Sequence, residues 1–255
     1  MYKALLTTFR TLTILPLPGK DTERFDLALY GFPVVGAVMG LFCLGWVQAA
    51  GLWMSPIGFQ GASVLLLGLL CWLTGGLHWD GLADWADSKG AGADREKALR
   101  IMKDSSVGSF GAAALILFGL LWTQLAAVLI NSPDWPRLFL VLLFSRSLQV
   151  ELICSYPYAR KESGMAGPFV EGATRWHRVV VLVLALACSV PFFGELAVSS
   201  LGVGFIATHL FGLIEKKRLG GITGDLVGAS NQLNELVLLF FLILAPEPTR
   251  FGGWL

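Results

Sequence analysis

Charge is what this sequence has least of. Only 15% of its 255 residues are Asp, Glu, Lys or Arg, against about 25% in an ordinary soluble domain. Residues 27 to 79 contain none at all, a run of 53. A helix on the surface of a soluble protein shows a polar face to water, so a run of that length excludes an ordinary soluble core. About 20 apolar residues cross a bilayer, and the run therefore holds two crossings. Cysteine is scarce as well. Cys43, Cys71, Cys154 and Cys188 stand singly in separate apolar segments. With no CxxC and no Cys/His pair at zinc spacing, they are small buried apolar residues rather than ligands. The net charge of +1 gives no basic excess of the kind a nucleic-acid partner requires. No cleavable leader is visible: Arg10, Pro16, Pro18 and Gly19 make the start an amphipathic or irregular entry segment. Repeats of fixed period and low-complexity tracts are absent too, which leaves one domain over 1–255.

What is present is hydrophobic: 55% apolar residues and a mean hydropathy of +0.67. The pattern predicts an all-α, polytopic integral membrane bundle of about seven transmembrane helices (six to eight) with an added cytoplasmic amphipathic helix. The spans fall near 28–53, 58–79, 107–131, 136–156, 178–194, 196–215 and 223–245. Pro191 and Glu195 interrupt the fifth and sixth, so one long bent hairpin is the alternative there. Basic residues test the count, because cytoplasmic loops collect Lys and Arg. Sixteen of the nineteen lie in the amino-terminal segment and in the loops after spans two, four and six. The other side carries only Arg137 and Arg250, and Arg146 lies within span four. The amino terminus is therefore expected in the cytoplasm and the carboxyl terminus outside.

The densest chemistry sits at the cytoplasmic mouth of span two, in Gly75-Gly76-Leu77-His78-Trp79-Asp80-Gly81-Leu82-Ala83-Asp84-Trp85-Ala86-Asp87. Asp80, Asp84 and Asp87 are spaced i, i+4, i+7, within about 60° of arc on a helix. Like charges on one face repel, and a hard divalent cation held by oxygen ligands, Mg²⁺ or alternatively Mn²⁺, relieves them. His78 points to a different face. A second acidic group lies in span seven, Gly221-Ile222-Thr223-Gly224-Asp225-Leu226-Val227-Gly228-Ala229-Ser230-Asn231-Gln232-Leu233-Asn234-Glu235. Asp225, Gly228, Gln232 and Glu235 share a face, and Glu235 lies about 15 Å further along the helix, in the membrane interior. A carboxylate there is functional by default, or else pairs with Arg146, whose charge cannot be lost.

Residues 94 to 103 predict a short amphipathic helix with Ala98, Leu99, Ile101 and Met102 inward, lying on the bilayer. Lys103, Asp104 and Ser105 then lead into a Gly-spaced helix start, a natural phosphate site. Arg160 is a second phosphate candidate, whereas Lys161 reads as topogenic. Acids for a metal and cations for phosphate on one face suggest metal-assisted phosphoryl transfer.

These motifs together resemble the cobalamin synthase (adenosylcobinamide-GDP ribazoletransferase) family. The resemblance rests on Thr74 to Asp87, Ile101 to Gly111 (IMKDSSVGSFG), Ser145-Arg146, Tyr158-Ala159-Arg160 with Gly164, Gly221 to Glu235 and the opening Phe9 to Pro18. Many members carry Arg after Lys-Asp-Ser, where this chain has Ser106. The resemblance implies an Mg²⁺-dependent enzyme of the bacterial or archaeal inner membrane that joins adenosylcobinamide-GDP to α-ribazole or its 5′-phosphate, releasing GMP. Asp80, Asp84 and Asp225 would hold the metal, and Asp87, or failing it Glu235, would be the general base. Lys103, Asp104, Ser105, Arg146, Arg160, Thr223, Gly224 and His78 would contact substrate or phosphate. Partners would be the two substrates and the bilayer, with a homo-oligomer left open and no nucleic acid.

Two other classes compete. A CDP-alcohol phosphotransferase of phospholipid synthesis carries an Ala-Arg inside its aspartate signature, which Asp84-Trp85-Ala86-Asp87 lacks. A secondary transporter carries two-fold repeats and midplane acids, whereas most acids here cluster at one face.

Overall fold

The computed structural model describes residues 1–51, 58–160 and 164–245. Among these it contains twelve α-helices, short 3₁₀ turns and one isolated β-bridge, Tyr158 with Ile222. The amphipathic α1 (Tyr2–Leu12) leads through a loop to α2 (Phe25–Ala28) and, across a 3₁₀ turn, to α3 (Phe32–Ala50). Then come α4 (Gly58–Leu73), α5 (Leu77–Asp87), the short α6 (Arg95–Ile101), α7 (Ser109–Ile130) and α8 (Leu138–Ser155). After these come α9 (Gly167–Gly172), α10 (Arg175–Phe193), α11 (Glu195–Leu219) and α12 (Gly224–Leu244).

Six segments are long and apolar enough to cross a membrane unbroken, Phe25–Ala50, Ser109–Ile130, Trp135–Ser155, Arg175–Phe193, Glu195–Leu219 and Gly224–Leu244. They match the expected first, third, fourth, fifth, sixth and seventh spans. Gly194, at φ 53°, separates α10 from α11, so that region is two helices. The last residues of the expected first span, 52 and 53, lie outside the described residues, as do Lys161 and Arg250.

The second span, expected near 58–79, is not one continuous helix. It breaks after Leu73, and the segments Gly58–Leu73 and Leu77–Ala91 meet at 92°. The cause is local. Gly75 and Gly76 both take left-handed backbone, φ 59° and 71°, which costs other residues steric strain. Their amides donate to Trp72 O and Cys71 O, both at 2.9 Å, closing the carbonyl end of α4. The carboxylates thus ride on a separate short helix, α5, turned across the direction of α4.

At the centre stands α8, buried at every residue from Leu138 to Ile153, with α3, α10, α11 and α12 packed against it; α5 and α7 pack on α12 in turn, and α4 on α7. The outward faces are apolar: Ile116, Leu117 and Leu120 of α7, Val183 of α10, and Ile206 and Leu210 of α11 are all exposed. Helices that show aliphatic side chains outward and bury polar ones inward have lipid as their outer solvent. The chain is a multi-pass membrane protein.

The basic segments meet at one end of this bundle. Ile14 N donates to Leu73 O (2.9 Å), tying the amino-terminal segment to the α4 end. Arg95 donates to Leu219 O (2.7 Å) and Ala159 O (2.8 Å). Ala159 N donates to Ile222 O, and Ile222 N to Pro157 O, both at 2.8 Å. Asp94 caps α6 by accepting from Lys97 N (2.9 Å), and Ala98 and Met102 are buried beneath that helix as the pattern required.

Candidate active site

α5 crosses α12 closely because Gly81 has no side chain. A Cβ at Gly81 would lie 2.6 Å from Asp225 O, well inside van der Waals contact. This crossing sets the α5 carboxylates beside Asp225. Asp84 is half-buried within electrostatic range of Asp80, Asp87 and Asp225, and Arg160 is the cation that opposes them. Asp225 follows the helix cap Thr223, whose hydroxyl oxygen accepts from Leu226 N (3.3 Å). The Asp225 carboxylate accepts from Arg160 Nη2 (2.6 Å) and from the Thr223 hydroxyl (3.2 Å). Gly224 follows Thr223 at the start of α12. Asp80 is exposed and lines an open cleft of about 770 Å³ with Thr7, Arg10, Thr11, Thr74 and Trp79.

The two carboxylates considered as general bases are both committed elsewhere. Asp87 accepts backbone N–H bonds from Gly108 (2.7 Å) and Gly111 (2.8 Å), so it satisfies the open amides at the start of α7 from a distance in sequence. Each of its two oxygens is thereby taken up by a backbone donor. Glu235 is buried inside the bundle and forms an ion pair with Arg146. Trp122 Nε1 (2.9 Å) and Asn231 Nδ2 (3.0 Å) also donate to it. The interior pair weighed from the sequence is therefore what forms, and the structure does not bring Arg146 to the opening where a phosphate would lie.

Other expected contacts divide similarly. His78 is buried and receives the Gln149 amide at Nε2 (2.7 Å), away from the face of the carboxylates. Asp104 turns onto Ser106, accepting from its amide (3.0 Å) and hydroxyl (2.6 Å), which hold the Asp104 carboxyl below the usual carboxylate range. No described contact joins Asp104 or Ser105 to the acidic cluster. Lys103 is exposed and lines a smaller cleft with Arg160.

Glu215 was not singled out from the sequence, where it precedes a topogenic Lys-Lys-Arg. It is fully buried and accepts from Trp85 Nε1 (2.9 Å), Lys89 Nζ (2.5 Å) and Arg218 Nε (2.8 Å). It fastens α5 to α11 one residue from Asp84. A lone Glu at the end of a hydrophobic span was the only signal available for it.

No three Asp, Glu, His or Cys side chains among the described residues converge on a point that would hold one ion. The donor chemistry nevertheless fits a hard divalent cation. Asp80, Asp87, Asp225 and Arg160 all lie within electrostatic range of Asp84, the carboxylates offer only oxygen donors, and Asp80 is exposed to the cleft.

Fold and site define a polytopic membrane protein with an acidic, guanidinium-faced site at the basic end of its bundle. The family model for cobalamin-5-phosphate synthase matches residues 4–243. The chain is 42% identical over 239 residues to the adenosylcobinamide-GDP ribazoletransferase of Chlorobium phaeobacteroides (strain BS1), covering 92% of this chain and 95% of the relative. It is 42% identical over 241 residues to that of Chlorobium phaeovibrioides, with 92% and 95% covered. Against that of Syntrophobacter fumaroxidans it is 36% identical over 242 residues, with 94% and 92% covered. No solved structure matches the chain. The chain belongs to the cobalamin-5-phosphate synthase family, and the phospholipid-synthase and transporter readings are set aside.

Proposed function

We propose that this chain transfers the phosphocobinamide group of adenosylcobinamide-GDP to the ribose hydroxyl of α-ribazole or α-ribazole 5′-phosphate, releasing GMP. The observation that carries the reading is the acidic face of α5 against Asp225 and Arg160 in a chain of this family. The acceptor oxygen bonds to the phosphorus next to cobinamide, and the phosphoanhydride bond to GMP breaks. Asp80 and Asp225 are the carboxylates that would hold Mg²⁺, which when bound neutralises charge on the diphosphate oxygens. Asp84, assigned to the metal on sequence grounds, takes instead the role of general base for the acceptor proton. It is half-buried among like charges and, among the described residues, has no hydrogen bond to a backbone amide comparable to those of Asp87. Arg160 and Lys103 bind phosphate oxygens, and Thr223 and Gly224 set the Asp225 backbone. Asp87 organises the α7 start, and the Arg146–Glu235 pair is scaffold.

The carboxylate end faces the cytoplasm of the inner membrane, a reading supported by the collection of basic loops there. Two experiments test the proposal. Purified protein in detergent, given adenosylcobinamide-GDP, α-ribazole and Mg²⁺, yields a cobalamin product and GMP in equal amounts; folded protein that yields neither overturns it. Single cysteines at position 93 or 104, in a variant lacking the four native cysteines, react with a membrane-impermeant maleimide only in inverted vesicles; labelling in right-side-out cells overturns the orientation.

A further inference from the structure

α5 is 11 residues long and takes no direction from α4, because the chain turns by 92° between them. Contacts with other helices set its orientation. At its closest approach to α12 those contacts are glycine against backbone. A Cβ at Gly81 would lie 2.6 Å from Asp225 O, and one at Gly228 would lie 3.3 Å from His78 Cα. Glycine lets the helices meet but offers no ridge to seat in a groove there. The crossing therefore fixes the distance of α5 better than its rotation about its own axis. Two polar ties on the far face of α5 fix the rotation. His78 and Trp85 are seven residues apart and project within about 20° of each other, whereas Asp80, Asp84 and Asp87 project at least about 100° away. His78 Nε2 accepts from the Gln149 amide of α8 (2.7 Å). Trp85 Nε1 donates to Glu215 of α11 (2.9 Å).

The tie to Glu215 is the broader of the two. Besides Trp85, its buried carboxylate accepts from Lys89 Nζ (2.5 Å) and Arg218 Nε (2.8 Å). Lys89 Nζ also lies 4.6 Å from the centre of the Trp85 ring. Arg218 reaches on to Ser88 Oγ (2.8 Å) and Ser88 O (3.2 Å). One carboxylate thus grips the end of α5 and the turn that follows it, and none of these groups lines the cleft that Asp80 faces. Side-chain tips ride about 5–6 Å from a helix axis, so a rotation of about 20° moves a carboxylate by about 2 Å. A misplacement of about 1 Å at reacting groups costs about 10²-fold in rate. We propose that Glu215 is a positioning residue for the reaction. Acting through Trp85 and Lys89, it sets the rotation of α5 and so the placement of Asp84 and Asp80 against Asp225. This role rests on the transferase reading above, but metal binding reads it without turnover.

The test compares the full-length protein in detergent with Trp85→Phe, Glu215→Leu, Glu215→Gln and the double variant Trp85→Phe/Glu215→Leu. Trp85→Phe removes one N–H and keeps a ring in place. The expected fall in kcat is about tenfold in Trp85→Phe and about a hundredfold in Glu215→Leu. In both, the Mg²⁺ concentration for half-maximal rate rises about tenfold, as when a group that orients metal ligands is lost. The Kd for Mn²⁺, read by electron paramagnetic resonance without substrates, rises by the same factor. Glu215→Gln keeps an oxygen for Trp85 Nε1 and stays within about fivefold of normal turnover. The double variant is no slower than Glu215→Leu, because the two residues act as one unit; a loss near the product of the single effects, about a thousandfold, would overturn the proposal. So would a lowered unfolding midpoint with kcat and both metal readouts unchanged, which is the mark of a structural tie only. Glu215→Gln as slow as Glu215→Leu would overturn it too. If Glu215→Leu does not fold, kcat and the Mn²⁺ Kd of Trp85→Phe decide alone. Weakened Mn²⁺ binding in the variants, with no turnover even in the unaltered protein, would refute the transferase reading and leave the hold of Glu215 on α5 standing.

Discussion

The interior pair of Arg146 and Glu235 gives the sharpest test of how roles divide among the carboxylates. Both side chains are almost wholly buried, at 3% and 4% exposure, in the middle of a membrane bundle. Replacing Arg146 by Met leaves Glu235 buried with only the Trp122 and Asn231 donors, and removing one partner of a buried pair costs about 3–5 kcal/mol. Replacing both, as Arg146→Met with Glu235→Gln, removes the charge and keeps an amide oxygen for Trp122 Nε1. An unsatisfied buried donor, worth about 1–3 kcal/mol, is thereby avoided, so the double variant regains most of the loss and sits within about 1–2 kcal/mol of the unaltered protein. Reversible unfolding in mixed micelles, followed by circular dichroism, reads these differences. The same samples are assayed for GMP release, and the double variant retains at least about a tenth of normal turnover, a loss of no more than about 1.4 kcal/mol in the barrier. A double variant that is stable but inactive would refute the scaffold argument and return Glu235 to the chemistry. Equal destabilisation of single and double variants would refute the electrostatic account.

Four further outcomes follow from the site. Asp84→Asn lowers kcat by about 10²–10⁴-fold, the usual contribution of a general base, while the Mg²⁺ concentration for half-maximal rate stays within about threefold; a large rise in that concentration would make Asp84 a ligand instead. Asp87→Ala lowers stability by about 1–2 kcal/mol through the lost cap on α7; if unfolding midpoints do not move while turnover vanishes, Asp87 acts in the chemistry. Gly81→Ala puts a methyl 2.6 Å from Asp225 O and parts α5 from α12, so turnover falls at least about fivefold, as overpacking by about 1–3 kcal/mol predicts; normal activity would mean the crossing is not needed. Chelation with EDTA abolishes turnover and both Mg²⁺ and Mn²⁺ restore it, and rate retained after exhaustive chelation would refute a metal requirement.

The spans were legible in the sequence because lipid demands long apolar runs, and the lack of charge over 27–79 left little else to read. The acidic spacing on α5 was legible for a similar reason, since three like charges on one arc need an explanation. The break at 92° was not, although its cause was visible: Gly75-Gly76 can continue a membrane helix or end it, and only the backbone settles which. The Asp87 bonds are not legible because their partners, the amides of Gly108 and Gly111, lie 21 and 24 residues away and belong to groups every residue possesses. Residue type carries no trace of such a bond. Glu235 was ambiguous for a physical reason, since a membrane carboxylate and a membrane arginine predict both a site and a pair. Glu215 is hidden among charges that topology alone explains.

The pairing of α8 with α12 also bears on how the chain is made. Arg146 is synthesised 89 residues before Glu235, about 4–18 s at ordinary elongation rates of about 5–20 residues per second. Through that interval the helix destined for the centre of the bundle carries an uncompensated guanidinium, at a cost of about 2.5–3.5 kcal/mol on insertion scales. Whatever machinery delivers the chain to the bilayer must shelter α8 until its counter-charge arrives, which makes α12 the helix that commits the nascent chain to its final arrangement.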